Sequence, residues 1–403
     1  MKSWFSLPKV SQISLLATAI TAFSCILGID IHTPSLPSMV TFFQTNNDVM
    51  QLAVTLFVLG AGVGIAFWGP LSDRYGRRPI IVVGVSIVSV SSAIAAASSN
   101  IHVFLALRLM QGFGSGAAMC LCRVIAADLL DKRQLAVIGS TIGLITGMAP
   151  MLAPIVGGYI EESVGWFGSF VLYSFITSVA LLIFLCFYTE SKPDCKSDRI
   201  FSRYTELIST PRFLLFGLLQ GVVLSVINCY AVVAPFLIQV ELGETPIFFG
   251  WISGLCAFCQ LFSKLCAPFM IQKQGVYPTH IMGWFILFVA SIVLLLRFTY
   301  FPMSRELFIM AIGLAFFSIH MIIPYLFSEA MSVSNAGKGT LGAGFSATGM
   351  IFSFLLSSAI AYIPYEGSGL LGGYYLLLAV LGLLLTSLTQ RKKQRTPSFI
   401  SVE

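Results

Sequence analysis

The stretch GPLSDRYGRRP, residues 69–79, separates two strongly apolar runs, each close to the roughly 20 residues that a helix needs to cross a bilayer. It contains two glycines, which allow tight backbone geometry, and three arginines: Gly69, Gly76, Arg74, Arg77 and Arg78. A short basic connection between two such runs predicts a pair of antiparallel membrane helices that meet on one side of a bilayer.

The same pattern extends over the whole chain, which has 403 residues, 57% apolar and only 10% charged. Soluble domains carry about 25% charged residues, so water is not the solvent for most of this protein. We count twelve apolar runs, at 12–36, 49–69, 79–97, 101–126, 135–160, 167–188, 212–239, 248–270, 279–297, 307–327, 340–363 and 369–389. The prediction is an all-α integral membrane protein with twelve spans.

The positive charges lie mostly on one side of these spans. If the N-terminus is cytoplasmic, 18 of the 23 Lys and Arg residues fall in cytoplasmic segments and only Arg297 and Arg305 fall outside. This asymmetry is the positive-inside bias, and it predicts that both termini are cytoplasmic. The net charge of +6 is therefore explained by topology and lipid contact, and no nucleic-acid partner is expected.

The longest cytoplasmic connection, 189–211, divides the spans into six and six. A weak repeat supports the division, because APFMIQKQGVY at 267–277 follows span 8 as GPLSDRYGRRP follows span 2. We predict an N-terminal six-helix bundle over 1–188, a C-terminal bundle over 212–390, and a basic cytoplasmic tail over 391–403. The two bundles are expected to face each other across a central cavity.

The pattern G-x3-D-R-x-G-R-R resembles the inter-helix motif of the major facilitator superfamily. Three further features resemble its drug:proton antiporters of the bicyclomycin- and chloramphenicol-resistance (Bcr/CflA) type: D-x3-P-S-L-P at 30–37, the set Arg108, Gln111 and Gly112, and a fifth span rich in glycine and proline. The resemblance implies a multidrug exporter of the bacterial inner membrane that works by alternating access. It does not identify a substrate.

Asp30 and Arg108 are the candidate proton-coupling residues. At 1.5 Å per residue, Asp30 lies about 27 Å from the inner surface and Arg108 about 10 Å from the outer surface, at similar depth in a core about 30 Å thick. Opposed across a cavity, the two charges would lower each other's cost of burial. The resemblance implies that Asp30 carries a proton, whereas the alternative is a static pair that holds span 1 against span 4. The second membrane acid of some antiporters is Ala22 here, which favours one proton per cycle.

The resemblance also implies two gates and a substrate cavity. The inner gate comprises Gly69, Asp73, Arg74, Gly76, Arg77, Arg78, Arg123 and Asp128, and Asp73 is expected to contact a helix N-terminus. The gating helix is span 5, whose small residues allow close helix packing and whose prolines bend it: Gly143, Gly147, Pro150, Pro154, Gly157 and Gly158. The candidate cavity residues are His32, Gln111, Asn228, Tyr230 and His320, although a structural role is the favoured alternative for each histidine.

No motif for ATP binding, hydrolysis or nucleophilic catalysis is found, so we expect no enzyme and no cofactor, with transport driven by a gradient. The membrane cysteines, including Cys256, Cys259 and Cys266, are interpreted as packing residues and not as a metal site. The expected partners are a small-molecule substrate, protons and the bilayer, and we expect a monomer. Two alternatives remain open: a proton-coupled carrier of one physiological solute, such as a metabolite or siderophore, and a non-transporting membrane receptor.

Overall fold

The structure is a computed structural model that describes residues 7–191, 207, 209–333, 338–361 and 367–395. Within these residues, twelve helical segments are long and apolar enough to cross a membrane, as predicted. We number them spans 1 to 12: Lys9–Phe42, Asn47–Tyr75, Arg77–Ala96, Ile101–Leu129, Val137–Ser163, Trp166–Phe187, Pro211–Glu241, Pro246–Gln274, Val276–Tyr300, Arg305–Met331, Thr340–Ile360 and Gly369–Thr389. The last helix continues to Arg395, into the predicted tail.

The spans form two bundles of six, around a central cavity. In the first bundle spans 2, 3 and 4 pack together and span 1 packs on spans 4 and 6; in the second, span 7 packs on span 11 and span 9 packs on spans 10 and 12. The bundles meet along two seams, span 2 against span 11 and span 5 against span 8. The exact bundle boundaries remain predictions, because most of the connection 189–211 lies outside the described residues.

Consecutive spans run in opposite directions, so their connections alternate between two sides. We call the side with Gly76, Asp131 and Gly275 the basic side and the side with Asn46 and Gly165 the far side. On the far side, Asn46 and Asn100 accept hydrogen bonds from backbone N–H groups in the first turns of spans 2 and 4. These caps satisfy donors that a helix N-terminus leaves without a partner.

The two halves turn in the same way at the connection that follows their second span. Gly76 has φ 97° and ψ 164°, and Gly275 has φ 95° and ψ 166°. Residues with a β-carbon rarely adopt a positive φ, so both turns require glycine. A proline lies inside the helix before each turn, Pro70 in span 2 and Pro268 in span 8. The repeat seen in the sequence therefore corresponds to a repeated backbone turn.

Span 1 changes its helical geometry just after Asp30. The α-helix runs from Lys9 to Asp30 and is followed by a 3-10 turn, Thr33–Ser35. Pro34 has no N–H to donate to the carbonyl four residues earlier, which is that of Asp30. The hydroxyl of Thr33 donates to this carbonyl instead, at 2.7 Å. The prolines of this stretch thus place Asp30 at the last turn of a regular helix.

Span 5 is also interrupted, at Met148. Its two helices are Lys132–Gly147 and Ala149–Ser163, and Pro150 lies in the first turn of the second helix. A proline is tolerated in a first turn, where its missing N–H is not needed, but it breaks a continuous helix. The helix of span 5 is therefore interrupted next to Pro150, while the bend predicted from its prolines remains a prediction.

Candidate functional site

A small cavity of about 20 Å³ lies between the two bundles, at the end of the regular helix of span 1. Its walls come from spans 1 and 5 of the first bundle and spans 7, 8 and 10 of the second. The lining residues are Asp30, Thr33, Pro150, Pro154, Ile227, Tyr230, Ala231, Phe249, Ser253, Ala257 and Phe316. The wall is mostly apolar and contains one ionisable carboxyl group, and this kind of lining suits small, mostly apolar molecules.

Asp30 contributes that carboxyl group and is 8% exposed. Among the described residues its side chain makes no ion pair and no hydrogen bond. A membrane carboxylate without a direct partner is expensive when ionised, so its charge depends strongly on what enters the cavity. The prediction that Asp30 carries a proton remains untested, but its placement allows direct contact with a bound molecule.

Arg108 does not face Asp30 across the cavity, contrary to the expected arrangement. Its side chain is fully buried inside the first bundle. It donates to the carbonyl oxygens of Gly28 at 3.2 Å and Ala53 at 2.9 Å, and to the side-chain oxygen of Gln111 at 2.6 Å. The guanidinium carbon lies 4.7 Å from the centroid of the Phe57 ring. Arg108 uses its donors on these groups, and it acts on Asp30 through space and through the backbone of span 1.

Of the five polar residues predicted for the substrate cavity, Tyr230 lines the cavity described above. Its hydroxyl shares a hydrogen bond of 2.9 Å with Ser253, a lining residue that the sequence analysis missed. Gln111 is buried beneath Arg108, and Asn228 donates to Ser353 of span 11 at 2.7 Å. Asn228 thus connects spans 7 and 11 of the second bundle, whereas Gln111 accepts its hydrogen bond from Arg108 of its own span 4.

The two histidines lie elsewhere. His32 is fully buried with its ring centroid 5.7 Å from that of Phe170, and neither ring nitrogen has a hydrogen-bond partner among the described residues. His320 lies in span 10, one turn beyond the lining residue Phe316.

The missed lining residues are mostly apolar, and nothing in their sequence distinguishes them from residues that face lipid.

The charged residues of the 69–79 stretch form a cluster on the basic side. Arg77 donates to the carboxylates of Asp73 at 2.5 Å and Asp128 at 3.2 Å, and to the hydroxyl of Ser72 at 2.8 Å. That hydroxyl in turn donates to the carbonyl of Gly69 at 2.7 Å. The structure thus brings together three predicted gate residues from spans 2, 3 and 4, although their gating role remains a prediction.

Glu190 completes this cluster and was missed as a site residue. Its two carboxylate oxygens accept the backbone N–H groups of Arg77 and Arg78, each at 3.0 Å. We expected Asp73 to contact a helix N-terminus, but Glu190 has that position at span 3, where negative charge is favoured. Gly76 leaves the necessary space, because a β-carbon there would lie 2.9 Å from the Glu190 carboxylate.

The other predicted gate residues have separate contacts. Arg78 donates to the carbonyl of Leu185 at 2.7 Å, and Arg74 lies over the ring of Tyr75. Arg123 is not part of the Asp73–Arg77–Asp128 cluster. Its exposed side chain reaches the opposite bundle, where it donates to Ser346 of span 11 at 3.5 Å.

The small residues of span 5 lie at the seam with span 8. A β-carbon on Gly158 would lie 2.5 Å from the carbonyl oxygen of Pro246, and one on Gly250 of span 8 would lie 2.5 Å from that of Pro154. Gly147 faces Leu261, and the carbonyl of Gly143 accepts a hydrogen bond from Lys264 at 2.8 Å. Gly157 instead contacts the carbonyl of Ile31 in span 1. Among the described residues no group of His, Cys, Asp and Glu is placed to hold a metal ion.

A family model described as Major Facilitator Superfamily matches residues 18–340. Named relatives include a bicyclomycin resistance protein homolog of Haemophilus influenzae, 28% identical over 77% of this chain and 78% of the relative. Multidrug resistance protein D of Escherichia coli is 26% identical over 88% and 89% of the two chains. An uncharacterized transporter of Rickettsia bellii is 24% identical over 87% and 89%.

Solved structures give the same fold. The xylose transporter XylE of Escherichia coli, in a partially occluded inward-open conformation, superposes with a TM-score of 0.75. The alignment covers 94% of this chain and 98% of XylE at 16% sequence identity. At this identity the likeness concerns the arrangement of helices and carries no information on the substrate.

Proposed function

The chain belongs to the Major Facilitator Superfamily of membrane transporters, and we propose that it is a proton-coupled exporter of small, mostly apolar compounds. In this proposal substrate and proton compete for the cavity that contains Asp30, and the two bundles rock around it in an alternating-access cycle. We place the protein in the bacterial inner membrane as a monomer, with the basic side and both termini in the cytoplasm.

The observation that carries the proposal is the single carboxyl group in the apolar cavity. Asp30 lines a wall otherwise made of groups such as Ile227, Phe249 and Phe316. In such surroundings an ionised carboxylate is costly and a protonated one is not, so protonation and the entry of an apolar molecule are coupled. The names of the relatives from Haemophilus influenzae and Escherichia coli support drug-like substrates.

Arg108 has a positioning role in this proposal. It holds span 1 through Gly28, two residues before Asp30, and its charge remains inside the first bundle. A movement of span 1 relative to spans 2 and 4 would change the distance between the guanidinium and the carboxylate. Such a change alters the balance between protonated and ionised Asp30, and it provides a physical link between helix movement and proton release.

The test is proton flux in liposomes that contain the purified protein and an internal pH dye. A panel that begins with chloramphenicol and bicyclomycin is added under an imposed pH gradient, and substrate-dependent proton movement is recorded. We expect flux with wild type and none with Asp30→Asn, while a neutral substrate still binds the variant. Asp48→Asn is the matched control, because Asp48 is exposed in the first turn of span 2.

Two results would contradict the proposal. Equal proton flux in Asp30→Asn and wild type would exclude Asp30 as the carrier. Flux driven by one metabolite or siderophore and by no drug-like compound would favour the alternative, a carrier of one physiological solute.

A further inference from the structure

Arg123, Lys264 and His320 lie on spans 4, 8 and 10, and the first two each form a hydrogen bond with the opposite bundle. Lys264 is within electrostatic range of both Arg123 and His320. The side chain of Arg123 reaches Ser346 of the second bundle, and Lys264 of the second bundle reaches Gly143 of the first. The two long side chains therefore extend towards each other's bundle, and they mark the space between the bundles on the basic side of the cavity.

This group has positive charge without a matching acid. Neither Arg123 nor Lys264 forms an ion pair with any acid in the described part of the chain. Nδ1 of His320 is buried and has no hydrogen-bond partner among those same residues. By contrast, Arg77, at the start of span 3 on the basic side, is paired with both Asp73 and Asp128. Unbalanced positive charge within membrane spans is rare and is typical of a ligand pathway.

Most N–H donors of Lys264 and Arg123 make no hydrogen bond to the described residues, which a purely structural role does not explain. Lys264 donates to one carbonyl, that of Gly143, although an ammonium group has three N–H donors. Arg123 makes one long hydrogen bond, at 3.5 Å, although a guanidinium has five N–H donors. Arg123 is also exposed, and its hydrogen-bond partner Ser346 lies in the other bundle.

Two members of the group lie on spans that also line the cavity that contains Asp30, spans 8 and 10. His320 lies one helical turn, about 6 Å, beyond the lining residue Phe316 in span 10. Lys264 lies seven residues, about 10 Å of helix, from the lining residue Ala257 in span 8. A molecule that extends about 10 Å along these spans can therefore contact the apolar lining with one part and the positive group with another.

We propose that Arg123, Lys264 and His320 form an anion subsite on the basic side of the cavity, which binds an acidic group, such as a carboxylate, on an otherwise apolar substrate. The proposal rests on the proposed transport function and deepens it by naming the substrate class. With the Asp30 carboxyl at the far end of the cavity, the site has opposite charges at its two ends. It selects molecules whose acidic group points to the basic side and whose apolar or cationic part points to Asp30.

The test compares two dyes that differ by one acidic group. Rhodamine 110 has a free carboxylate, and rhodamine 123 is its methyl ester. Binding of each dye to the purified, detergent-solubilised protein is measured by fluorescence anisotropy without any pH gradient. We expect rhodamine 110 to bind wild type about tenfold more tightly, because a charge-assisted hydrogen bond contributes on that scale.

Variants then assign the preference to the subsite. Lys264→Gln and Arg123→Gln should each weaken rhodamine 110 binding about tenfold and leave rhodamine 123 binding within about twofold. Lys264→Arg should restore most of the affinity, since it keeps the charge. Lys273→Gln is the matched control: Lys273 lies in the last turn of the same span and is exposed, so neither dye should respond.

The outcomes separate this proposal from the transport mechanism. Equal binding of the two dyes to wild type, or binding of neither, would overturn the anion subsite, as would an equal loss of both dyes in Lys264→Gln. Because wild type alone provides the first comparison, a variant that fails to fold leaves the test intact. The dye preference does not depend on proton flux, so a failure of Asp30 as the proton carrier would leave it unchanged.

Discussion

Both terminal nitrogens of Arg108 donate to the carbonyl oxygen of Gly28 at 3.2 Å, and this residue lies half a helical turn before Asp30. The same guanidinium donates to Ala53 of span 2 from its Nε atom. One buried side chain of span 4 thus ties the cavity end of span 1 to span 2. Its charge lies behind the cavity wall, where it influences Asp30 without neutralising it by direct contact.

Replacement of Arg108 should therefore destabilise the first bundle. In Arg108→Gln the Gly28 and Ala53 carbonyls lose a charged donor inside a closed bundle, and we expect the free energy of unfolding to fall by about 2–4 kcal/mol. The measurement is thermal or denaturant unfolding in detergent. Arg305→Gln is the control: Arg305 pairs with Glu244, but its side chain is 54% exposed, so about 0–1 kcal/mol is expected. Equal stability of the two variants would show that the hydrogen bonds of Arg108 to Gly28 and Ala53 do not stabilise the first bundle.

The cluster of Asp73, Arg77 and Asp128 should affect turnover more than stability. The Asp73 side chain is 42% exposed, so its ion pair with Arg77 contributes about 0–1 kcal/mol. We expect Asp73→Asn to slow transport in liposomes while substrate binding stays close to wild type. Arg212→Gln, which breaks an ion pair with Glu329 at the same side of the second bundle, should leave turnover unchanged. If Asp73→Asn loses binding, expression and transport together, the cluster serves folding only.

The carboxylate of Glu190 should stabilise the start of span 3. Glu190→Gln removes the negative charge that accepts the N–H groups of Arg77 and Arg78, and we expect a loss of about 1–2 kcal/mol. Thermal unfolding in detergent provides the measurement. Glu306→Gln is the control, because Glu306 lies in the first turn of span 10 and is exposed. A smaller loss of stability in Glu190→Gln than in Glu306→Gln would contradict a stabilising role of Glu190 at the start of span 3.

The far-side seam should tolerate no side chain at Gly158. In Gly158→Ala the new methyl group would lie 2.5 Å from the Pro246 carbonyl oxygen, and such overpacking costs about 1–3 kcal/mol in the closed state. We expect transport to fall about tenfold, since 1.4 kcal/mol corresponds to a factor of ten. Gly139→Ala is the control, as its methyl group would lie 3.5 Å from Leu135, an ordinary van der Waals contact.

A cross-link measures the seam directly. Trp251 of span 8 donates to the hydroxyl of Tyr159 in span 5 at 3.3 Å, so cysteines at these two positions should be joined by a bifunctional thiol reagent. The yield should fall when Gly158→Ala is added and should not change with Gly139→Ala. An unchanged yield in Gly158→Ala would show that the seam closes despite the methyl group.

The charge asymmetry of the connections predicts the orientation of the chain. In a cysteine-free background, cysteine in place of Ser197, within the 189–211 connection, should react with an impermeant thiol reagent only in inverted membranes. Cysteine in place of Met303, which is 75% exposed on the far side, should react in intact cells. Reaction of the first variant in intact cells would reverse the proposed orientation.

The sequence by itself determined the number of spans, their alternation and the two-bundle class. A bilayer requires long apolar helices with internally satisfied backbones, and this requirement is visible in composition alone. The sequence also determined local helix geometry. Pro34 and Pro150 mark the changes of helix geometry in spans 1 and 5, because proline cannot donate a backbone hydrogen bond. The turns at Gly76 and Gly275 follow from the same kind of local constraint.

Only the tertiary structure decided which side chains face the cavity. The sequence predicts that Arg108 and Asp30 lie at similar depths in the membrane. The packing of spans 1, 2 and 4 nevertheless directs Arg108 into the bundle, because backbone carbonyls there accept its hydrogen bonds. The rotation of a span about its axis separates a lining residue such as Phe316 from one that faces lipid, and an apolar helix has no sequence signal for it. Glu190 and Lys264 likewise gain their partners, Arg77 and Gly143, from helices far away in the chain.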